Sequence, residues 1–256
     1  MQSSFFFHNS DRILADIDER LAEKFGRPHR APLLDPISQL VWGILSGRTY
    51  THVTQESLQV LRTRFGTWEA VRDAPVREIE HAISSVTFAD VKAPRLKSAL
   101  EQITGLFGRL TLTPLLDKTD SEALYWLEQL PGVGRKASAA TLNFSMMRRR
   151  TLVIDTHHLR ILKRLRLVRQ NADLAEAYDR IMPALPKAWS AEDLDAHHQM
   201  MKLLGQTTCR HGLPQCRSCP LKDLCPTGTA SGQGKDRPAV TQSRQADPSR
   251  RRQARG

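Results

Sequence analysis

Apolar residues recur along this chain at spacings of three and four, segment after segment, and that period leaves little room for anything but helix. In DPISQLVWGILS, Ile37, Leu40, Val41, Ile44 and Leu45 form one face, with Asp35 placed to cap the helix and Pro36 to open it. VTQESLQVLRTRF, VREIEHAISSV, APRLKSALEQITGLF, DSEALYWLEQL, KASAATLNFSM, THHLRILKRLRL and LAEAYDRIM carry the same pattern. Gly66, Pro75, Pro94, Pro114, the PGVG turn, Pro183 and Pro186 read as breaks between helices. No alternating pattern persists and no repeat of fixed period occurs, so the expected fold class is all-α. With 256 residues, 40% of them hydrophobic, the chain has material for one sizeable core or two modest ones.

The net charge of +11 calls for a polyanionic partner. On charge alone, nucleic acid, an acidic membrane surface and a ribosomal role all stay open. There is no apolar run of about 18 residues that would span a membrane. The opening MQSSFFFHNSDR has neither a basic n-region nor a cleavage site, so the expectation is a cytoplasmic protein without a signal peptide. From about Thr227 the chain turns polar and ends RRRQARG, too poor in apolar surface to order itself. Residues 227–256 are expected to be a disordered basic tail, either an arm attracted to DNA or an inert solubilising extension.

All four cysteines fall in CRHGLPQCRSCPLKDLC, as Cys209, Cys216, Cys219 and Cys225 with spacing C-x6-C-x2-C-x5-C. In a reducing compartment such crowding points to metal rather than disulfides. Thiolates suit zinc or an iron–sulfur cluster. A zinc ribbon draws two CxxC knuckles from separated places, whereas here one loop supplies every ligand, which favours a compact cluster.

LPGVGRKASAATLNFS places two glycines ahead of a helix, where backbone N–H groups and the helix dipole meet an anion. Gly132 and Gly134 lack a Cβ that would hold a phosphate off, and such a turn holds a nucleic-acid backbone without reading bases. Lys136 falls in the first turn of that helix. The dipole, burial and the neighbouring Arg135 would all disfavour its ammonium form, leaving either a nucleophilic amine or an ordinary phosphate contact. Asp155, delivered by the apolar run Leu152–Ile154 to the start of another helix, is a natural N-cap. The same fixed carboxylate could stabilise a developing oxocarbenium ion at the edge of a cleft. His197 and His198 are spaced wrongly to bind one metal from one helix face, and they read, like His157, as packing and hydrogen-bonding residues.

LPGVGRK, VIDTHHLR and the cysteine loop, in that order, resemble the endonuclease III family of helix-hairpin-helix DNA glycosylases over roughly Asp11 to Pro226. The resemblance implies a Schiff-base nucleophile at Lys136 and an essential aspartate at Asp155. It also implies a DNA-gripping hairpin of Leu130, Pro131, Gly132, Val133 and Gly134 with Arg135, and a [4Fe–4S] cluster on Cys209, Cys216, Cys219 and Cys225. Two helical domains would flank a DNA-binding cleft. Residues 36–149 would be a six-helix domain, and residues 150–226 a cluster domain joined by the N-terminal helix of residues 1–35. The implied activity is that of a monomeric base excision repair enzyme. It would take double-stranded DNA with damaged bases or abasic sites, remove oxidised pyrimidines and cut 3′ to the site by β-elimination.

The chain departs from the family pattern in two places. ILSGRTYTHV puts Arg48 where a base-plugging glutamine is usual, and Arg48 reads as that plug or as a phosphate contact. TFADVKA puts Phe88 at the position of a leucine wedge, and Phe88 reads as a wedge between bases or as a core residue. These departures leave open a mismatch-directed glycosylase on the same scaffold. A non-catalytic iron–sulfur lesion sensor is the remaining alternative, and the pairing of Lys136 with Asp155 argues against it.

Overall fold

The structure, a computed structural model, describes residues 3–30 and 32–233. Among the described residues, twelve α-helices follow one another. They are α1 (Ser3–Phe25), α2 (Pro36–Leu45), α3 (Thr51–Phe65), α4 (Trp68–Asp73), α5 (Val76–Ala82), α6 (Ala89–Phe107), α7 (Asp120–Glu128), α8 (Arg135–Asn143), α9 (Thr156–Arg164), α10 (Leu174–Ile181), α11 (Ala191–Thr207) and α12 (Pro226–Gln233). Among the described residues no strand forms, and an isolated bridge joins Leu34 to Ser145. None of the described helices is long and apolar enough to cross a membrane.

Local chemistry sets most helix ends. The Asp35 carboxylate accepts the Ser38 N–H at 2.9 Å, and Pro36 follows as the first helical residue. Thr119 and Glu122 close a capping box on α7, and Gly66, at φ 77°, ends α3. Pro94, expected as a break, instead lies inside α6. That helix starts earlier, at Ala89, so Pro94 forfeits only a second-turn hydrogen bond, and the buried Lys92, Ala93, Leu96, Ala99, Leu100 and Ile103 hold the helix through packing. The short α4 escaped the sequence pattern because six residues are too few to display a period.

Helix α2 lies along α8, so close that a Cβ on Gly43 would stand 3.0 Å from the Ala137 Cβ. Helices α4 and α5 pack on α6, α3 bridges to α2, and α7 lies against α8. Beyond α8, helix α9 packs on α11 and α1 packs on the other side of α11. Polar contacts to buried carboxylates fix that second contact. His197 Nδ1 donates to Asp18 at 2.9 Å, and Arg30 makes two bonds of 2.7 and 2.8 Å to Asp195. At the α9–α11 crossing, a Cβ on Gly205 would meet the His157 Cβ at 2.7 Å. Gly205→Ala is therefore expected to cost about 1–3 kcal/mol of stability, read as a lower urea midpoint with an unchanged slope.

Of the expected tail, residues 227–233 belong to α12, and the remainder lies outside the described residues. A Cβ on Gly228 would stand 2.8 Å from the Lys222 carbonyl oxygen, so the start of α12 is seated on the cysteine loop.

Candidate active site and cysteine pocket

The hairpin between α7 and α8 divides its residues between fold and surface. Leu130 and Val133 are buried, and the Val133 N–H bonds the Leu130 carbonyl at 3.1 Å, so their side chains anchor the turn rather than face a ligand. Gly132 takes a left-handed φ of 81°, and a Cβ there would crowd Arg95 and Ile44. Gly134 is different. Its backbone is extended, an added Cβ would meet nothing, and it caps α8 without any side-chain hydrogen bond. The first-turn N–H groups of α8 thus lack a side-chain acceptor, and the approach to them is unobstructed. Pro131 is partly exposed beside them. Arg135 turns the other way, bonding Glu128 at 2.5 Å and Asp179 at 2.7 Å beside the Tyr178 ring.

Lys136 sits one residue further on, beneath the hairpin. Its Nζ donates to Ser46 Oγ at 2.7 Å. Burial pulls the amine below the ordinary lysine range, Asp155 opposes that pull, and Lys202 on α11 adds to it. The neighbouring cation is thus Lys202 rather than Arg135, whose charge is already met by two carboxylates.

Asp155 caps α9, its Oδ1 accepting the His158 N–H at 2.8 Å. Burial works against its ionisation, yet His198 and the His158 N–H bring it below its ordinary range, so it is a carboxylate at neutral pH. It acts on Lys136 through space and forms no ion pair with it among the described residues. Behind it, His198 donates from Nδ1 to the Val153 carbonyl at 2.7 Å, which fixes the apolar run that delivers Asp155. Burial depresses His198 to about 4, so the ring is neutral and structural. His157 is held by Arg160 at 3.2 Å, at the crossing with Gly205.

Arg48 and Phe88 come together although forty residues apart in sequence, with the Arg48 guanidinium 5.9 Å from the Phe88 ring centroid. Both are exposed and both have left-handed backbones, at φ 56° and 61°, a conformation that costs a side-chain-bearing residue roughly 1–2 kcal/mol. Phe88 is half exposed and therefore not a core residue. Arg148 and Arg166 share this left-handed backbone, but Arg48 and Phe88 are the two such residues that face each other, with Arg48 two positions beyond Ser46.

Three participants were not singled out by the sequence. Ser46 and Lys92 lie in the very segments whose departures drew attention, but nothing local marks a serine at a helix end or a lysine in VKA. Lys202 follows the His197–His198 pair on α11, and its relation to Lys136 exists only once α11 is folded against α9.

The cysteines line one small pocket, open to solvent on one side, together with Arg164, Thr208, Lys222 and Gly228. All four are free thiols. Among the described residues no three such side chains converge tightly enough to hold a single metal ion. Four thiols around one pocket, with no carboxylate or imidazole in its lining, are the soft donor set that zinc or an iron–sulfur cluster takes. Helix α9 clasps this loop. Arg164 reaches Cys209 Sγ at 3.0 Å and the Arg210 carbonyl at 2.7 Å, while Arg160 bonds the Cys209 carbonyl at 2.8 and 3.0 Å. The helix capped by Asp155 at one end is thereby tied to the cysteine loop at the other.

Comparison with known proteins adds relationship to this geometry. Residues 41–190 match the family model of the HhH-GPD superfamily base excision DNA repair protein. The endonuclease III of Bacillus subtilis is 27% identical over 173 residues, covering 66% of this chain and 73% of that protein. That of Rickettsia felis is 35% identical over 102 residues, covering 39% of this chain and 44% of its own length. A solved structure of a trapped endonuclease III–DNA covalent intermediate superposes with a TM-score of 0.72 at 24% identity, covering 88% of this chain and 99% of that one, a likeness of fold.

Proposed function

The chain belongs to the HhH-GPD superfamily of base excision DNA repair proteins, and we propose that within it the chain is an endonuclease III-like bifunctional DNA glycosylase and abasic-site lyase with Lys136 as its nucleophile. The observation that carries this reading is the setting of that amine. It is partly shielded from water, bonded to a hydroxyl rather than neutralised by a carboxylate, and faced by an ionised Asp155. A lysine that only touched phosphate would gain from staying charged and exposed.

In this reading the uncapped start of α8 holds the phosphodiester backbone and a damaged nucleotide turns out of the stack toward Lys136. Residues 36–149 and the assembly of α1 with residues 150–226 form the two walls of the cleft, and a monomer suffices. The neutral amine attacks C1′, the glycosidic bond breaks, and the base leaves with the bonding pair and a proton while Asp155 supports positive charge on the sugar. The proton the base takes comes from the attacking nitrogen, and opening of the ring, with O4′ taking a proton from water, gives an iminium that acidifies C2′. Removal of a C2′ proton expels the 3′ oxygen and cuts the strand. Arg48 fills the gap left by the flipped base, with Phe88 wedged beside it.

Cys209, Cys216, Cys219 and Cys225 would hold a [4Fe–4S] cluster, which when bound cross-links the loop that α9 clasps. The purified protein is expected to be brown and to contain about four irons. Converting Cys216 to serine should bleach it and weaken α9, seen as a lower unfolding temperature. A colourless protein with one zinc and no iron would reject the assignment.

The test of function is incubation with abasic-site duplex and borohydride, for which a covalent adduct is expected; its absence would overturn the lyase reading. A duplex panel then ranks substrates. Oxidised pyrimidines should lead, and preference for a mismatched normal base would favour the mismatch-directed alternative.

A further inference from the structure

A buried lysine and a partly buried one meet around a single residue. Lys92 on α6 is only 8% exposed, and its Nζ donates to the Leu45 carbonyl at 2.7 Å, the Gly47 carbonyl at 2.6 Å and Thr49 Oγ1 at 3.1 Å. Those three acceptors match the three N–H donors of an ammonium, and two of them flank Ser46. Ser46 in turn caps α2 with its N–H on the Trp42 carbonyl, donates its hydroxyl to the Gly43 carbonyl at 3.1 Å, and accepts from Lys136.

We propose that Lys92 and Ser46 together form a positioning device for Lys136, with Ser46 orienting the amine and the Lys92 charge keeping that amine neutral. The inference rests on Lys136 being the nucleophile. The direction of the hydrogen bonds gives it content. Because the Ser46 proton is committed to Gly43, the hydroxyl offers Lys136 only an acceptor. A neutral Lys136 amine therefore spends an N–H on Ser46 and keeps its lone pair free for C1′. A serine whose proton was free would instead cap that lone pair. The three Lys92 bonds hold the Ser46–Thr49 segment still while it performs this task, and the same bonds bracket the strained backbone of Arg48.

The electrostatic part has a definite sign. The charged groups facing Lys136 are Asp155 at the start of α9, Lys202 on α11 and Lys92 on α6. Helix α2 contributes none. On its own helix Arg135 is paired with Glu128 of α7 and Asp179 of α10. Burial and the nearby Lys136 lower Lys92 to about 8; repulsion between two ammonium groups is mutual, so a protonated Lys92 opposes a proton on Lys136 in turn. With the ammonium in place, protonating Lys136 would set a second cation beside it, whereas Asp155 favours that protonation. Removing Lys92 leaves Asp155 opposed only by burial and Lys202, and the neutral fraction of Lys136 falls.

The experiment measures borohydride trapping on abasic-site duplex from pH 6 to 9.5 for wild type, Lys92→Met, Lys92→Arg and Ser46→Ala. In parallel, the pH dependence of Lys136 reductive methylation by formaldehyde is followed by peptide mass spectrometry without DNA. For Lys92→Met the acid limb of both profiles should move up by about one pH unit, a roughly tenfold loss at pH 7, and converge on wild type above pH 9. Lys92→Arg should keep the wild-type limb, because it keeps the charge. Ser46→Ala should slow trapping several-fold at every pH without moving the limb, and it serves as the second arm if Lys92→Met does not fold. Unchanged profiles in folded Lys92→Met, or wild-type trapping rates in Ser46→Ala, would overturn the proposal. If wild type forms no adduct while methylation shifts as described, the lyase reading fails and the electrostatic coupling stands.

Discussion

A Lys136→Met variant is expected to fold, to bind abasic-site duplex, and to yield no borohydride adduct, with strand cleavage down on the order of a thousandfold or more. The size of the effect follows from the chemistry, since Lys136 is the amine that is hydrogen-bonded to Ser46 and faced by Asp155. Lys92 has all three N–H donors spent on Leu45, Gly47 and Thr49, and cannot substitute. Methionine is the informative replacement because it keeps the length of the side chain while discarding the charge. A partly buried amine with one hydrogen bond to Ser46 is costly to hold in its charged form. Its removal should leave stability unchanged or raise it, so lost activity cannot be charged to misfolding. Stability gained where function is lost is the signature of an active-site residue held against its own preference. Adduct formation by the variant would show that another amine is the nucleophile.

How much of this was legible beforehand depended on the range of the interactions. Asp35 and Asp155 could be read as caps because a cap involves residues three apart. The hairpin was readable from its two glycines, yet their separate reasons were not. Gly132 is required by its backbone angle, whereas Gly134 is required by nothing inside the fold. His197 and His198 were rightly read as hydrogen-bonding residues, but Asp18 and Val153 as their partners depend on packing across the molecule. Pro94 misled because a proline's cost depends on where the helix begins, and the buried face that starts α6 early is a tertiary fact. Ser46, Lys92 and Lys202 stayed hidden for the same reason. Each is ordinary in its own segment and acquires a role only where α2, α6, α8 and α11 converge on one amine.

Asp155 offers the sharper separation of fold from chemistry, because it serves both at once. Asparagine caps a helix as well as aspartate does, so Asp155→Asn should hold the His158 N–H, keep α9 in place and unfold at the wild-type denaturant midpoint. Base excision should nevertheless fall about a hundredfold to a thousandfold, the usual loss when charge stabilisation is removed from a developing ion. Alanine discards the cap as well, and Asp155→Ala should lose about 1 kcal/mol of stability besides. A second consequence runs in the opposite direction. Asp155 is the group that raises the Lys136 amine's affinity for protons, so in the asparagine variant that amine deprotonates at lower pH. The residual trapping activity should therefore persist further into acid than wild-type activity does, the reverse of the shift expected for Lys92→Met. If Asp155→Asn instead excises bases at the wild-type rate and only Asp155→Ala fails, the carboxylate is a cap and nothing more. Sugar-cation stabilisation would then have to come from the DNA itself.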